Sequence, residues 1–392
     1  MREFNPTGKV ADNHKKLFAL VSIPVLFSCG SNTTDTSENL DFSFSYTIDT
    51  VEIHPGDHLI YISGYMNTAT ISPDKNVLYN LNPTIPELEI IDLEALAFRE
   101  ALPLEKEGPE GIGMYVSDFA VSEKGDFIFL GYQSFVKASS DLDHYKSFKF
   151  QSENLKGDTL IGKEGIDFGA ISSRDGNYLF ATYSDQEVGG ATKGLAIVDL
   201  QTMELTKIAI RDLETLKEFN INQYDDKGNP RMSTIERVWL LEVDDKIYLT
   251  NTARNEAFIY DLESGALKKK GFHAVLTSDA KKGQYAKNTT SAEEMKDAWA
   301  EKNKEVEFNK LLFDETNGKF WRVSQELDRM IADSVVTKKV LTIFDSDLNQ
   351  LHEQELDFEV AQSLAFFKEG ILYSFVNLED ELGFIRIKPS YE

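Results

Sequence analysis

The sequence predicts an all-β fold: a six-bladed β-propeller of four-stranded antiparallel blades, its ring closed by an N-terminal strand and interrupted by two helical insertions. Three observations lead there. A polar turn followed by an apolar strand recurs six times along the chain. An aliphatic strand ending in aspartate recurs four times among those copies. The copies repeat at about 50 residues, the length of one blade.

Before the repeats comes an address. Lys15 and Lys16 precede a run of mostly apolar residues, Leu17 to Ser28. That run is shorter than the ~20 residues a membrane-spanning helix needs, but it fits the charged-then-apolar layout of a secretory signal. It ends in Leu26-Phe27-Ser28-Cys29-Gly30, which resembles the lipobox of bacterial lipoproteins. The resemblance implies cleavage before Cys29 and lipidation of its thiol, with further acylation giving durable anchoring. Residues 1–28 are thus read as a lipoprotein signal peptide and 29–41 as a flexible polar tether. The propeller is assigned to 42–392. Cys29 is the sole cysteine, which excludes an internal disulfide and a cysteine-based metal cluster.

The first strand of the body, Phe42-Ser43-Phe44-Ser45-Tyr46-Thr47-Ile48, alternates apolar and polar residues. An open propeller would leave two unpaired edges, so this strand is expected to pair into the last blade. The polar-turn feature follows at Ser72-Pro73-Asp74-Lys75-Asn76, Ser122-Glu123-Lys124-Gly125-Asp126 and Ser173-Arg174-Asp175-Gly176-Asn177. It returns at Val243-Asp244-Asp245-Lys246, at Asp314 to Lys319, and at Lys368-Glu369-Gly370. Asp, Asn and Gly tolerate the positive φ of tight hairpins, so each copy is a hairpin signal. The second feature, an aspartate that can cap a chain reversal, stands at Asp92, Asp199, Asp261 and Asp345. Two hairpins per period make one four-stranded blade.

The third and fourth intervals are some 20 residues longer than the rest. The first surplus contains Arg211 to Phe219, with Leu213, Leu216 and Phe219 on a helical face. The second contains Ser291 to Trp299, a capped amphipathic helix with Ala292, Met295 and Trp299 expected on its apolar side. Long loops on a rigid scaffold are where binding usually sits.

Leu102-Pro103-Leu104 with Gly108-Pro109-Glu110-Gly111-Ile112-Gly113 resembles the link between blades of bacterial NHL-like and TolB-like propellers, as does Asn255 to Asp261. With the lipobox, the chain resembles the uncharacterised propeller lipoproteins common in Bacteroidetes. That resemblance implies a place in the cell envelope, lipid-anchored to the outer membrane. It transfers no catalytic residues.

The chain holds 41 basic against 66 acidic residues, a formal net charge of -25, and lacks the basic stripe a nucleic-acid reader needs. There is no Gly-x-Ser-x-Gly elbow, zincin helix, P-loop or EF-hand loop. His54 and His58 stand four apart, but Pro55-Gly56 forbids the helix that would place both on one face, so the pair is read as a loop. Asn80, Asn82, Arg237, Trp239, Trp321 and Arg322 are the candidate channel or rim residues. The leading expectation is a non-catalytic envelope module that binds or scaffolds a protein or glycan partner and needs no cofactor. The alternative is a lactonase-like or glycan-cleaving hydrolase, dependent on calcium held by carboxylates converging on the channel.

Overall fold

The structure, a computed structural model, describes residues 42–64, 66–132, 134–151, 153–332 and 334–392. The expected signal peptide, Cys29 and the expected tether lie outside these residues. Among them no helix is long and apolar enough to cross a membrane.

Residues Phe42–Glu392 form one compact unit, built as a propeller of six blades. Blade 1 is Ala69–Ile71, Val77–Asn82, Glu87–Asp92 and Ala97–Pro103. Blade 2 is Asp118–Val121, Phe127–Gly131, Ser134–Ala138 and Tyr145–Lys149. Blade 3 opens on the short Ile171–Ser172 and continues through Tyr178–Asp185, Thr192–Asp199 and Glu204–Ala209. Blade 4 is Val238–Val243, Lys246–Asn251, Glu256–Asp261 and Leu267–Gly271. Blade 5 is Leu312–Asp314, Lys319–Ile331, Ser334–Phe344 and Gln350–Leu356. Blade 6 takes Ala365–Lys368, Ile371–Leu378 and Glu381–Tyr391 from the C-terminus and its outer strand, Phe44–Glu52, from the other end. That strand pairs antiparallel from Phe44 opposite Tyr391 to Glu52 opposite Gly383, and a bidentate Arg386–Asp49 pair ties the edge. The ring closes as the alternation in 42–48 predicts, four residues further on than that alternation reached.

The hairpins form for the reasons the sequence suggests. Each of the six inner turns places a residue in the left-handed region: Lys75, Gly125, Gly176, Asp244, Gly318, and in the last turn both Glu369 and Gly370. The Ser72 hydroxyl donates to Asp74 at 2.6 Å and accepts the Val77 N–H at 2.9 Å; Ser173 does the same with Asp175 and Tyr178. All four aspartates of the second feature accept backbone N–H groups within their turns, as Asp199 does from Gln201 and Thr202 at 2.8 Å.

The core sits between blades. Strand side chains alternate, so Leu179 packs toward blade 2 while Phe180 packs toward blade 4. A strand buried on both faces reads as a near-continuous apolar run, which is why Phe127-Ile128-Phe129-Leu130 does not alternate. The sixth cluster joins Leu78 and Ile91 of blade 1 to Tyr373 and Phe384 of blade 6 and completes the circle.

The insertions fall between blades 3 and 4 and between blades 4 and 5, and they meet. Asn288–Thr289 pairs parallel with Ile221–Tyr224, which pairs with Pro230–Thr234. Leu213, Leu216 and Phe219 are buried as expected. The second helix, Ala292–Lys302, is capped by Ser291, but its buried face is Met295, Ala298 and Lys302. Of the expected face only Met295 is buried: Ala292 is exposed, and Trp299 points outward and is half exposed. The cause is Lys302, whose ammonium enters the protein to meet Glu236 at 2.6 Å and the Phe219 carbonyl at 2.9 Å.

Candidate binding surface

Strand order sends each second-to-third-strand turn, and each connection between blades, to one face of the ring. Both insertions and the glycine-rich link stand there.

On that face the link Leu104–Ser117 lies against the end of blade 2 and forms a groove of about 490 Å³. The close approach depends on Gly131, where a Cβ would stand 2.9 Å from the Tyr115 carbonyl. Tyr115, Met114 and Tyr132 project at its mouth, each more than 60% or about 60% exposed. Tyr132 meets Phe168, from the blade 2 to 3 connection, at a ring distance of 5.5 Å. Beside Phe168, the Asp167 carboxylate accepts from Thr182 at 2.7 Å, Ser184 at 2.5 Å and Gln186 at 3.0 Å. Burial outweighs those bonds and raises the Asp167 carboxyl above its usual range. Only Lys106 and Glu107 bring charge to the groove, and they are of opposite sign. In a chain of net charge -25 this is a neutral, aromatic-rimmed surface.

The six sequence candidates separate into four places. Asn80 and Asn82 face Glu89 and Glu87 across a strand pair of blade 1. Asn80 Nδ2 donates to Glu89 at 2.6 Å, and Asn82 Oδ1 caps its turn by accepting from Thr84 and Ile85. His58, from the link after the closing strand, reaches Glu89 at 2.9 Å and Glu87 at 3.9 Å.

Arg237 immediately precedes the inner strand of blade 4 and Trp239 stands on it, the guanidinium 4.6 Å from the indole centroid. Across from them Asp118 opens the inner strand of blade 2, and Lys310 precedes that of blade 5. Burial pushes the Asp118 carboxyl up to about 7, against a hydrogen bond from Phe119 N–H and the fields of Lys310 and Arg237. Burial also brings the Lys310 ammonium down to about 8, although Asp118 pulls the other way and Ser363 O accepts from it at 2.6 Å. A cavity of about 290 Å³ runs along the inner strands of blades 4, 5 and 6, with Lys310 in its lining. Its hairpin end is bridged by Lys75 to Glu315 at 3.1 Å, by Arg174 to the same carboxylate, and by Arg174 N–H to Glu242 at 3.0 Å. The groups that face Asp118 are cations, so this part of the channel does not assemble the several carboxylates a calcium ion takes.

Trp321 and Arg322 lie on neither channel nor rim. Trp321 fills the junction of blades 5 and 6, edge-on to Phe44 and Phe367. Arg322 is buried at the junction of blades 4 and 5 among Phe272, Phe308 and Phe344, with Asn255 accepting from it. Burial lowers its guanidinium to about 10.

Sequence reading missed Tyr115, Tyr132 and Phe168, and it considered His58 with His54 in a loop rather than with the carboxylates of blade 1. The signal for the first three was aromatics beside glycine in turns and links rather than in strands. For His58 it was Glu87 and Glu89, two residues apart and opposite two asparagines.

Comparison with known proteins follows the architecture. The sequence profile of DUF4221, a domain of unknown function, matches residues 40–355. No curated protein matches. A solved DUF4221 member from Bacteroides vulgatus is similar at 12% identity and a TM-score of 0.66, over 90% of this chain and 99% of that one. A Bacteroides fragilis protein provisionally named as exported aligns at 9% identity and a TM-score of 0.48, over 92% and 98% of the two chains.

Proposed function

Because the chain belongs to the DUF4221 family, whose function its name leaves open, we propose that it is a cell-envelope binding module that takes an uncharged glycan on the aromatic groove of blades 2 and 3. A lipid on Cys29 would hold the module to the outer membrane. The observation that carries this reading is the set Tyr115, Tyr132 and Phe168, exposed at the mouth of a groove whose two charges cancel.

Large apolar groups left in water on a soluble face mark an interaction site. Flat aromatic rings with hydroxyl tips offer both an apolar platform and a hydrogen-bonding edge, which suits the faces and rims of sugar rings. Ser134, Ser147 and Tyr145 add polar groups to the lining. The tight seat of the link against Gly131 limits the ordering cost of binding.

The test is a panel of neutral and acidic oligosaccharides offered to the purified protein. Neutral glycans should bind, and Tyr132→Ala and Phe168→Ala should each weaken binding about tenfold or more, as expected for central aromatic contacts. Binding confined to acidic glycans, or unaffected by either change, would end this reading. A protein captured from the envelope through the same two residues would replace the glycan with a protein partner.

A further inference from the structure

We propose that His58, Glu87 and Glu89 form a binding site for one divalent transition-metal ion, zinc being the probe of choice. The site is separate from the aromatic groove and does not rest on the glycan reading.

One ligand atom from each residue lies within 4.8 Å of the other two. His58 Nε2 stands 2.9 Å from Glu89 Oε1 and 3.9 Å from Glu87 Oε1. A tetrahedral ion with bonds of about 2.0–2.1 Å spaces its ligand atoms by about 3.3 Å, so those two separations bracket the required edge. An ion could enter by small rotations of side chains already in place.

The surroundings hold these groups in ligating positions. Glu89 is fully buried, and its carboxylate accepts the Tyr61 N–H at 2.9 Å and the Asn80 amide at 2.6 Å. The His58 ring stacks on Phe98 with centroids 4.1 Å apart and planes within 8°. Such outer contacts orient metal ligands and fix their donor atoms.

A second observation is independent of this cluster's shape. Among the described residues Glu89 has no lysine or arginine within 4.0 Å, its one ion-pairing partner being His58. A buried carboxylate without a permanent cation is costly, and a divalent ion supplies that charge. The other end of the amide that holds it, Asn80 Oδ1, is also buried without a partner.

The donor set selects the class of ion. One imidazole nitrogen and two carboxylates suit zinc and its neighbours, whereas calcium takes six to eight oxygens. His58 and Glu87 keep a quarter and a fifth of their side-chain surface in solvent, which gives the ion a route in and leaves a coordination position open to water.

The experiment strips the full chain with chelator, equilibrates it with Zn²⁺, and measures bound metal and affinity. One tightly held zinc per chain is expected. His58→Gln and Glu87→Gln should each lower affinity by more than the roughly ten- to hundredfold that outer contacts cost, with Asn80→Leu inside that range. Both ligand changes are at half-buried positions, and unchanged melting of the metal-free variants will show that they fold. Cobalt loaded in place of zinc should give visible bands of four-coordinate geometry that vanish in His58→Gln. Zinc absent from the wild-type chain, or held equally well by a His58→Gln, Glu87→Gln double variant, would overturn the assignment.

Discussion

Trp321 Nε1 donates a hydrogen bond to Tyr391 Oη at 2.9 Å, joining a strand of blade 5 to the last strand of blade 6. Tyr391 also reaches the fully buried Asp314 at 3.3 Å and sits opposite Phe44 in the closing pair. One phenol therefore links the blade junction, the inner hairpin of blade 5 and the pairing of the ring's first and last strands. Tyr391→Phe keeps the ring but leaves the indole N–H without its acceptor, which should cost about 1–3 kcal/mol. A fall in the urea midpoint with an unchanged slope is the expected result; an unchanged midpoint would show that closure does not depend on this bond.

Where 221–224 meets the helix Ala292–Lys302, the insertions are fastened by charge rather than by a large core. Glu236 is buried, with Lys281 at 2.8 Å, Lys302 at 2.6 Å and the Thr252 hydroxyl completing its shell. The two ammonium groups hold its carboxyl below the usual range despite burial. Glu236→Gln leaves two buried cations facing an amide, and removing one partner of a buried pair typically costs about 3–5 kcal/mol. Only Ile221, Met295 and Ala298 form the buried apolar cluster there. The loss should therefore appear as local opening: faster amide exchange in 221–224 and 292–302, with the blade strands still protected. Uniform acceleration across the blades would show instead that the insertions and the ring unfold together.

What the sequence made legible follows from how local each interaction is. Ser72 to Val77 and Asp199 to Thr202 close their bonds within five residues, so turn chemistry alone revealed the hairpins. Ring closure spans the whole chain, yet the alternation of Phe44, Tyr46 and Ile48 marked a strand that needed a partner. The helix face failed because hydrophobic patterning cannot foresee a lysine whose stem is buried and whose charge is met by Glu236. Arg322 misled for the same reason, being a cation enclosed by aromatic rings. His58 and Glu89 lie 31 residues apart on a link and a strand, so no spacing rule connects them.

The proposed anchor at Cys29 makes a prediction that stands apart from the propeller. Several acyl chains hold a protein durably at a bilayer, and without them a chain of net charge -25 has little to bind an anionic surface. Cys29→Ala should move the protein from the membrane to the soluble fraction and abolish labelling by a fatty-acid precursor. Labelling that persists in the variant would remove the lipobox from consideration.

Asp118 and Lys310 give the fold a distinctive pH dependence. The Asp118 carboxyl titrates near 7 in the folded chain and near about 3.9 when unfolded. Between those values the folded chain keeps a proton that the unfolded chain has released, so stability falls as pH rises. Lys310 behaves in the opposite sense: it releases its proton near 8 when folded and near about 10.4 when unfolded. Across that upper range the unfolded chain holds the extra proton, and stability rises with pH. The pair's contribution is therefore lowest between about pH 7 and 8, where the folded chain holds carboxylate and ammonium together in the channel. Asp118→Asn should remove the lower limb, gaining on the wild type by at most about 4 kcal/mol between pH 4 and 8. Solvent in the half-open channel will reduce that figure. Lys310→Met should remove the upper limb. Urea midpoints of the three proteins at pH 4.5, 7.5 and 9.5 decide the matter, and parallel curves for wild type and variants would show that the channel solvates both charges fully.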